Sequence, residues 1–399
     1  VPRLRIVAFA YACEPGVGSE PGAGWVWARM LATFADVWVI TRANNRASIE
    51  AALPSTPERE ALAFVYVDLP AWARFWKRGQ RGVRLYYLLW QAAALREARR
   101  LAERVRPDLV WHLTLANAWL GSLAPLAGRR FVYGPVGGGP SPPWSMLRDA
   151  PPRAVGFELA RAAIRGFARY GNPLARLGWA RASLVLAQNE ETRTWLPTRH
   201  REKTIVFPNA VLEDGLVRDR GPTRRGNPRT AVYAGRLVYW KGAHLAIRAI
   251  AQVDGWRLVV CGAGPEEKRL RRLAATLGVD DRVVFTGWIS RRDLVRLLSR
   301  ADALLFPSLH DDAGLSVVEA LGCGLPAITL AVGGPPVLAG PGGVAIPPTT
   351  PEECVASMAQ ALSSGRLPAR QDALARARAL SQEARADELR SLVERALAV

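Results

Sequence analysis

Short, continuously apolar runs recur along the chain, each ending in a polar, glycine-containing loop before a stretch with helical spacing of its apolar positions. Arg3 to Ala10, DVWVIT, ALAFVYVDLP, DLVWHLT, RRFVYGPV, ASLVLAQNEET and TIVFPNAV read this way in the first half. In the second half TAVYAGRL, WRLVVCGAG, DRVVFTG, ADALLF from Ala301 to Phe306 and PAITL follow the same rhythm. A strand that does not alternate is buried on both faces, and strands separated by helical segments belong to parallel sheets. The pattern therefore predicts an α/β chain, and 399 residues are enough for two domains with separate cores. Linker composition is strongest between Leu212 and Thr230, where Asp214-Gly215, Gly221-Pro222 and Gly226-Asn227-Pro228 accumulate. The terminal SQEARADELRSLVERALAV reads as a helix.

Composition narrows the classes. With 49% hydrophobic and 22% charged residues the chain is globular rather than disordered. No apolar run reaches the roughly 18 to 20 residues of a membrane span, and the opening VPRLRIVAFAYA reads as a first strand rather than a secretory signal. Cys13, Cys261, Cys323 and Cys354 show neither paired nor metal spacing, which predicts a reduced, cytoplasmic compartment. The formal charge of +19 is uneven: residues 1 to 212 hold 29 Lys and Arg against 15 Asp and Glu, and the remainder 25 against 20. The first half also holds 11 of the 14 tryptophans.

Two segments concentrate that basic, aromatic character. Ala71 to Arg104 interleaves Trp72, Phe75, Trp76, Leu85, Tyr86, Leu88, Leu89 and Trp90 with Arg74, Lys77, Arg78, Arg81 and Arg84. Pro152 to Arg181 sets Phe157, Leu159, Ile164 and Phe167 among Arg153, Arg161, Arg165, Arg169 and Arg176. Rings at headgroup level beside cations suit an anionic membrane surface at the inner face of the cell membrane. Ordinary core helices and plain solubility charge are the alternatives. Nucleic acid is not expected as a partner, since no zinc-finger spacing, RNA-recognition signature or helix-turn-helix is present.

Candidate chemistry gathers in FPSLHDDAGLSVVEALGCGLPAITLAVGGPP, Phe306 to Pro336. A strand, a loop with His310, Asp311, Asp312 and Gly314, a helix and a second strand make a βαβ unit, whose ligand belongs at the loop. Amides of Gly314, Leu315 and Ser316 would open the helix toward an anion. Asp311 and Glu319 are eight residues apart, so both carboxylates can face one site; a solvated turn and a surface Glu are the bland alternative. Gly235-Arg236 and Lys241-Gly242 set two cations beyond another strand, at the spacing that meets a diphosphate. Gly262 and Gly264 end the next strand, and Gly287-Trp288 the one after. In the first half, Gly16, Gly18, Gly22 and Gly24 lie between strand and helix with Glu20, a loop that lets a ligand approach backbone. It fails as a dinucleotide fingerprint, because Pro21 occupies the sixth position and Thr41-Arg42 ends the second strand without an acid. His112 ends one strand, Asn44 follows another, and Gly137-Gly138-Gly139 follow a third.

These motifs resemble the signature of retaining glycosyltransferase family 4, the glycosyl transferases group 1. The matching residues are Asp311, Gly314-Leu315, Glu319-Ala320, Gly322-Cys323-Gly324-Leu325-Pro326 and the Gly235-Arg236-Leu237 to Lys241-Gly242 run, with GSEPGAGW resembling the first loop of one subgroup. Asp311 departs from the family's usual Glu, and Ala210 from the Gly of its Pro-Asn-Gly strand end. The resemblance implies a GT-B fold: two Rossmann-like doubly wound parallel-sheet domains facing a central cleft. The corresponding division is an acceptor-side domain at 1–212, a linker at 213–229, a nucleotide-sugar domain at 230–380 and a helix at 381–399 crossing back. It further implies a UDP- or GDP-sugar as substrate, no cofactor, and a saccharide or lipid-linked saccharide acceptor in cell-surface or extracellular polysaccharide biosynthesis. By the same resemblance His112, Arg236, Lys241, Asp311 and Glu319 carry the reaction. Gly18, Gly235, Gly262, Gly264, Gly287, Trp288, Gly314, Leu315 and Ser316 hold the donor, and Glu20, Asn44, Gly137 and Gly138 face the acceptor. No Asp-x-Asp occurs, so charge on the diphosphate falls to Arg236, Lys241 and loop amides without a metal. With no carboxylate placed as a nucleophile, a front-face mechanism is implied. An inactive nucleotide-sugar-binding subunit, an epimerase of the same fold and a nucleic-acid-binding protein are the rival readings.

Overall fold

The computed structural model describes residues 3–73, 82–212 and 228–398. Most of the expected linker (213–227), together with Arg74, Phe75, Trp76, Lys77, Arg78 and Arg81, lies outside the described residues. The chain forms two compact units: Val1–Gly139 with Ile164–Val211 and Gln382–Val399, and Pro140–Ala163 with Leu212–Ser381.

The first unit is built on seven strands: β1 (Leu4–Phe9), β2 (Ala35–Arg42), β3 (Leu62–Val67), β4 (Leu109–His112), β5 (Phe131–Val136), β6 (Leu184–Ala187) and β7 (Thr204–Val206). All pairings are parallel in the order β3-β2-β1-β4-β5-β6-β7. Ile6 and Ala8 enter the core on one face of the sheet, while Val7 and Phe9 enter the other. Successive side chains point to opposite faces, and both faces are covered, so the strand sequence shows no alternation. The helix Val83–Val105 buries Tyr86, Tyr87, Trp90, Ala94 and Ala98, leaving Leu85 and Leu89 exposed. Its three aromatics therefore all belong to the core, and the large apolar residues it exposes are leucines. The helix Gln382–Ala398 places Ala386, Leu389, Leu392 and Val393 in the other face's core.

The second unit has six strands: β8 (Arg229–Ala234), β9 (Trp256–Cys261), β10 (Val283–Gly287), β11 (Ala303–Phe306), β12 (Ala327–Leu330) and β13 (Gly343–Ile346). They form a parallel sheet in the order β10-β9-β8-β11-β12-β13. In both sheets the order reverses beside the first strand, between β1 and β4 and between β8 and β11. Loops leaving the two strands at such a reversal run apart and leave a crevice at their carboxyl ends.

One boundary differs from the reading of 1–212 as a single block. Residues 140–163 cluster with the second unit. Met146, Leu147 and Ala154 are buried in its core, and the Tyr239 hydroxyl donates to Met146 O at 3.1 Å. Among the described residues, no helix is long and apolar enough to cross a membrane.

Candidate functional site

At the β8/β11 reversal two loops are laced together. Leu309 N and Ser308 Oγ donate to Trp240 O at 2.7 and 3.2 Å, and the Trp240 and His310 rings stack at 5.8 Å and 12°. The Lys241 ammonium forms an ion pair with the Asp311 carboxylate, and it lies 5.5 Å from the centre of the Phe306 ring. Their side chains are 22% and 16% exposed, so each remains reachable from solvent. Arg236 leaves β8 exposed beside them in sequence, its carbonyl accepting from the Tyr233 hydroxyl at 3.2 Å; burial pushes that phenol up. Sequence reading expected Lys241 and Asp311 to act on different parts of a ligand. The structure shows that they first satisfy each other.

Behind this pair, Phe157 stacks on Trp240 at 4.9 Å and 9°, and His310 Nε2 lies 2.8 Å from Glu158 Oε1. Burial alone would raise the Glu158 carboxyl, but the hydrogen bond and charge of His310, with Arg161, hold it below its ordinary value. None of these contacts was legible beforehand. Glu158 is 152 residues from His310, and only the folded chain brings them together.

The helix Leu315–Gly322 begins after Gly314, whose φ of +99° suits glycine, and carries Glu319 as its fifth residue, eight residues beyond Asp311 in the preceding loop. Leu315 and Ser316 supply its first-turn amides, which a helix leaves without partners of its own. Glu319 accepts from Arg291 Nε at 2.8 Å. Arg291 was missed; its signal was a basic pair, Arg291-Arg292, directly after the Trp288-Ile289 loop. Trp288 is 79% exposed, and the Gly287 carbonyl accepts from Gly262 N at 2.9 Å. Gly262 and Gly264 serve close loop packing. A Cβ at Gly262 would fall 1.9 Å from Gly235 O, and one at Gly264 2.3 Å from Leu237 O. Gly235 N in turn donates to Cys261 O at 3.0 Å.

In the first unit, His112 stands at the end of β4 but is only 1% exposed. Its Nδ1 lies 2.6 Å from Ser122 Oγ, and its Nε2 2.7 Å from the Tyr87 hydroxyl and 3.2 Å from Thr114 O. Burial lowers its pKa to about 4, so the ring is neutral near pH 7. A ring at a strand end was expected to face the ligand, but pairing with β1 continues one residue further, Leu113 N donating to Phe9 O at 2.9 Å. The ring is buried against Tyr87, Ser122 and Thr114 and here holds those neighbours in place.

Glu20 is likewise engaged, accepting from Leu115 N at 2.6 Å, at a residue with φ of +52°. Gly22 and Gly24 do not open the loop to a ligand: a Cβ there would fall 1.8 Å from Val17 O and 2.0 Å from Ala12 O. The helix starts at Ser19, so Gly22 and Gly24 lie within it rather than before it, with Gly18 at its N-cap and open space around that residue. Asn44 is exposed in the turn after β2 and donates to Asn45 Oδ1 at 3.0 Å. Gly137 exchanges backbone bonds with Ala116 and Ala118, and a Cβ at Gly138 would strike Trp119 Nε1 at 2.2 Å. These two glycines are packing positions.

Residues 218–378 match the family model described as glycosyl transferases group 1. A 2-deoxystreptamine glucosyltransferase of Streptomyces kanamyceticus is 29% identical over 290 residues, 64% of this chain and 70% of that one. A D-inositol 3-phosphate glycosyltransferase of Mycobacterium marinum is 35% identical over 144 residues, 33% of this chain and 31% of its own length. Among solved structures, Anabaena HepE in complex with UDP and glucose superposes with a TM-score of 0.63 at 19% identity, covering 98% of this chain and 100% of that one. Sucrose-phosphate synthase from Thermosynechococcus elongatus gives 0.65 at 18% identity, covering 99% and 100%. At those identities the likeness concerns the fold. The chain thus shares the GT-B fold of those solved structures, and its residues 218–378 carry the match to the glycosyl transferases group 1 model.

Proposed function

We propose that the chain is a retaining, metal-independent hexosyltransferase of family 4 that moves a sugar from a UDP- or GDP-sugar to a saccharide or lipid-linked saccharide acceptor. On this reading it serves cell-surface or extracellular polysaccharide synthesis at the cytoplasmic face of an anionic membrane. The observation that carries the proposal is the β8/β11 reversal, where two loops bring Lys241 against Asp311 while Glu319 follows just over one turn into the next helix.

A diphosphate arriving there recruits Arg236 and draws Lys241 from Asp311. The carboxylate so released accepts from a sugar hydroxyl, and Glu319, held by Arg291, accepts from the ribose. The bond from the anomeric carbon to the diphosphate oxygen breaks. The acceptor oxygen bonds to that carbon from the same face, and its proton passes to the departing phosphate oxygen. Arg236, the displaced Lys241 and the helix amides stabilise the leaving charge, the kind of term that usually dominates such catalysis. Complexes of neighbours with UDP and with UDP-glucose support a nucleotide-sugar ligand, and the absence of any Asp-x-Asp supports a metal-free arrangement.

The test is slow hydrolysis of a panel of UDP-, GDP- and ADP-sugars without acceptor. One donor should release its nucleotide, and Glu319→Ala should reduce that release about 100-fold. Release from no donor, with no nucleotide binding by calorimetry, would overturn the proposal.

A further inference from the structure

The helix Pro152–Gly171 is reversed relative to a helix on a soluble surface. Its buried side includes Ala154, Glu158, Arg165 and Ala168. Glu158 pairs with His310, Arg161 donates to Pro140 O at 2.6 Å, and Arg165 donates to Gly139 O. The exposed side carries Leu159, Ile164, Phe167 and Tyr170, the last two 68% and 74% exposed. At about 100° per residue these four share one arc opposite the buried charges. Glu158 is the only acid in the helix, and it faces inward.

We infer that this outer face is the surface through which the protein lies on an anionic lipid bilayer. The sequence suggested arginines interleaved with rings, but folding turns Arg161 and Arg165 inward. What faces out is an apolar strip with exposed Arg153 at one end and Arg169, beside Tyr170, at the other. A helix lying shallowly at the headgroup boundary has this arrangement: apolar residues below, cations and a tyrosine at phosphate level. Arg169 lies 5.7 Å from the centre of the Tyr170 ring, which keeps the two at one level. The occupant's charge follows from the molecule's own. A second copy would bring another +19, of which residues 1 to 212 hold +14, whereas an anionic surface is attracted by the same field. The inference deepens the membrane-facing part of the proposed function by assigning it to one helix face, and it rests on that reading.

The experiment is sedimentation of the full chain with vesicles of phosphatidylcholine alone and of phosphatidylcholine mixed with phosphatidylglycerol. The native chain should bind the mixed vesicles preferentially. Phe167→Ser/Tyr170→Ser should weaken that binding about tenfold or more, with unchanged donor hydrolysis. Undiminished binding by the double variant, equal binding to both vesicles, or a native chain that stays in solution would overturn the inference. So would sedimentation-velocity dimers of the native chain that the double variant abolishes, since a second copy would then occupy the face. Donor hydrolysis is read separately: its failure removes the enzymatic reading, whereas its persistence without vesicle binding removes only this assignment.

Discussion

Lys241 and Asp311 show what one residue can be asked to do before and during binding. Apart, each would be a half-buried charge in search of a partner; together they keep the loops after β8 and β11 in register until a ligand competes. Lys241→Met removes both the ion pair with Asp311 and the cation proposed to meet the diphosphate. It should lower donor turnover about 100-fold and weaken nucleotide binding by calorimetry, and unaltered binding would show that Lys241 only braces the loops. Two histidines give a second prediction. Burial lowers the pKa of His112 to about 4 and of His244 to about 3, below the ordinary 6.5 of an imidazole. As pH falls through 6.5 the unfolded chain takes up a proton that the folded chain refuses, so stability declines from about pH 6.5 down to those lower values. At pH 5 each should have cost about 2 kcal/mol relative to neutral pH. His244, stacked on Tyr239 at 4.6 Å, is the better site to test, and His244→Phe should flatten the fall in Tm between pH 7 and pH 5. An equal slope in the variant would remove His244 from the explanation. The loop position of Asp311 and the helical position of Glu319 were readable because the strand, loop and helix pattern is local. Their partners were not, since Arg291 lies 28 residues from Glu319 and Lys241 70 from Asp311.

At the scale of elements, the loops behind the parallel strands hold each other through backbone alone. Gly262, at φ of +144° and with Gly235 O where a Cβ would stand, ties the loop after β9 to the loop after β8. Gly262→Ala should destabilise by about 2 kcal/mol or more and disturb nucleotide binding, read by denaturant titration and calorimetry; a neutral effect on both would mean that the loops yield. The glycines were visible in the sequence as ligand-facing candidates. What they actually touch was decided by neighbouring loops, because a residue without Cβ accommodates a ligand and a carbonyl equally well. The helix Pro152–Gly171 teaches the same lesson for amphipathicity. Its mixture of rings and arginines was plain, but which of them face inward depended on His310, Pro140 and Gly139 as partners.

For the whole molecule, the chain returns after Ser381 to finish the unit it began. The helix Gln382–Ala398 buries Leu389, Leu392 and Val393 against the first unit's core, and Arg385 donates to Pro208 O at 3.0 Å. Truncation after Ser381 removes burial worth about 5 kcal/mol. It should therefore lower the melting transition seen through the first unit's tryptophans, while the second unit's transition is retained; an unshifted first transition would show that the helix is dispensable. The sequence by itself determined the two parallel sheets, their strand ends, and the carboxylates and cations that follow them, because burial on both sheet faces and helical spacing are written in neighbouring residues. Tertiary structure alone decided that His112 is sealed, that Glu20 holds a backbone amide, that residues 140–163 join the second unit, and that Arg291 meets Glu319. Those outcomes depend on contacts between residues far apart in sequence, and side-chain type constrains such contacts without specifying their partners.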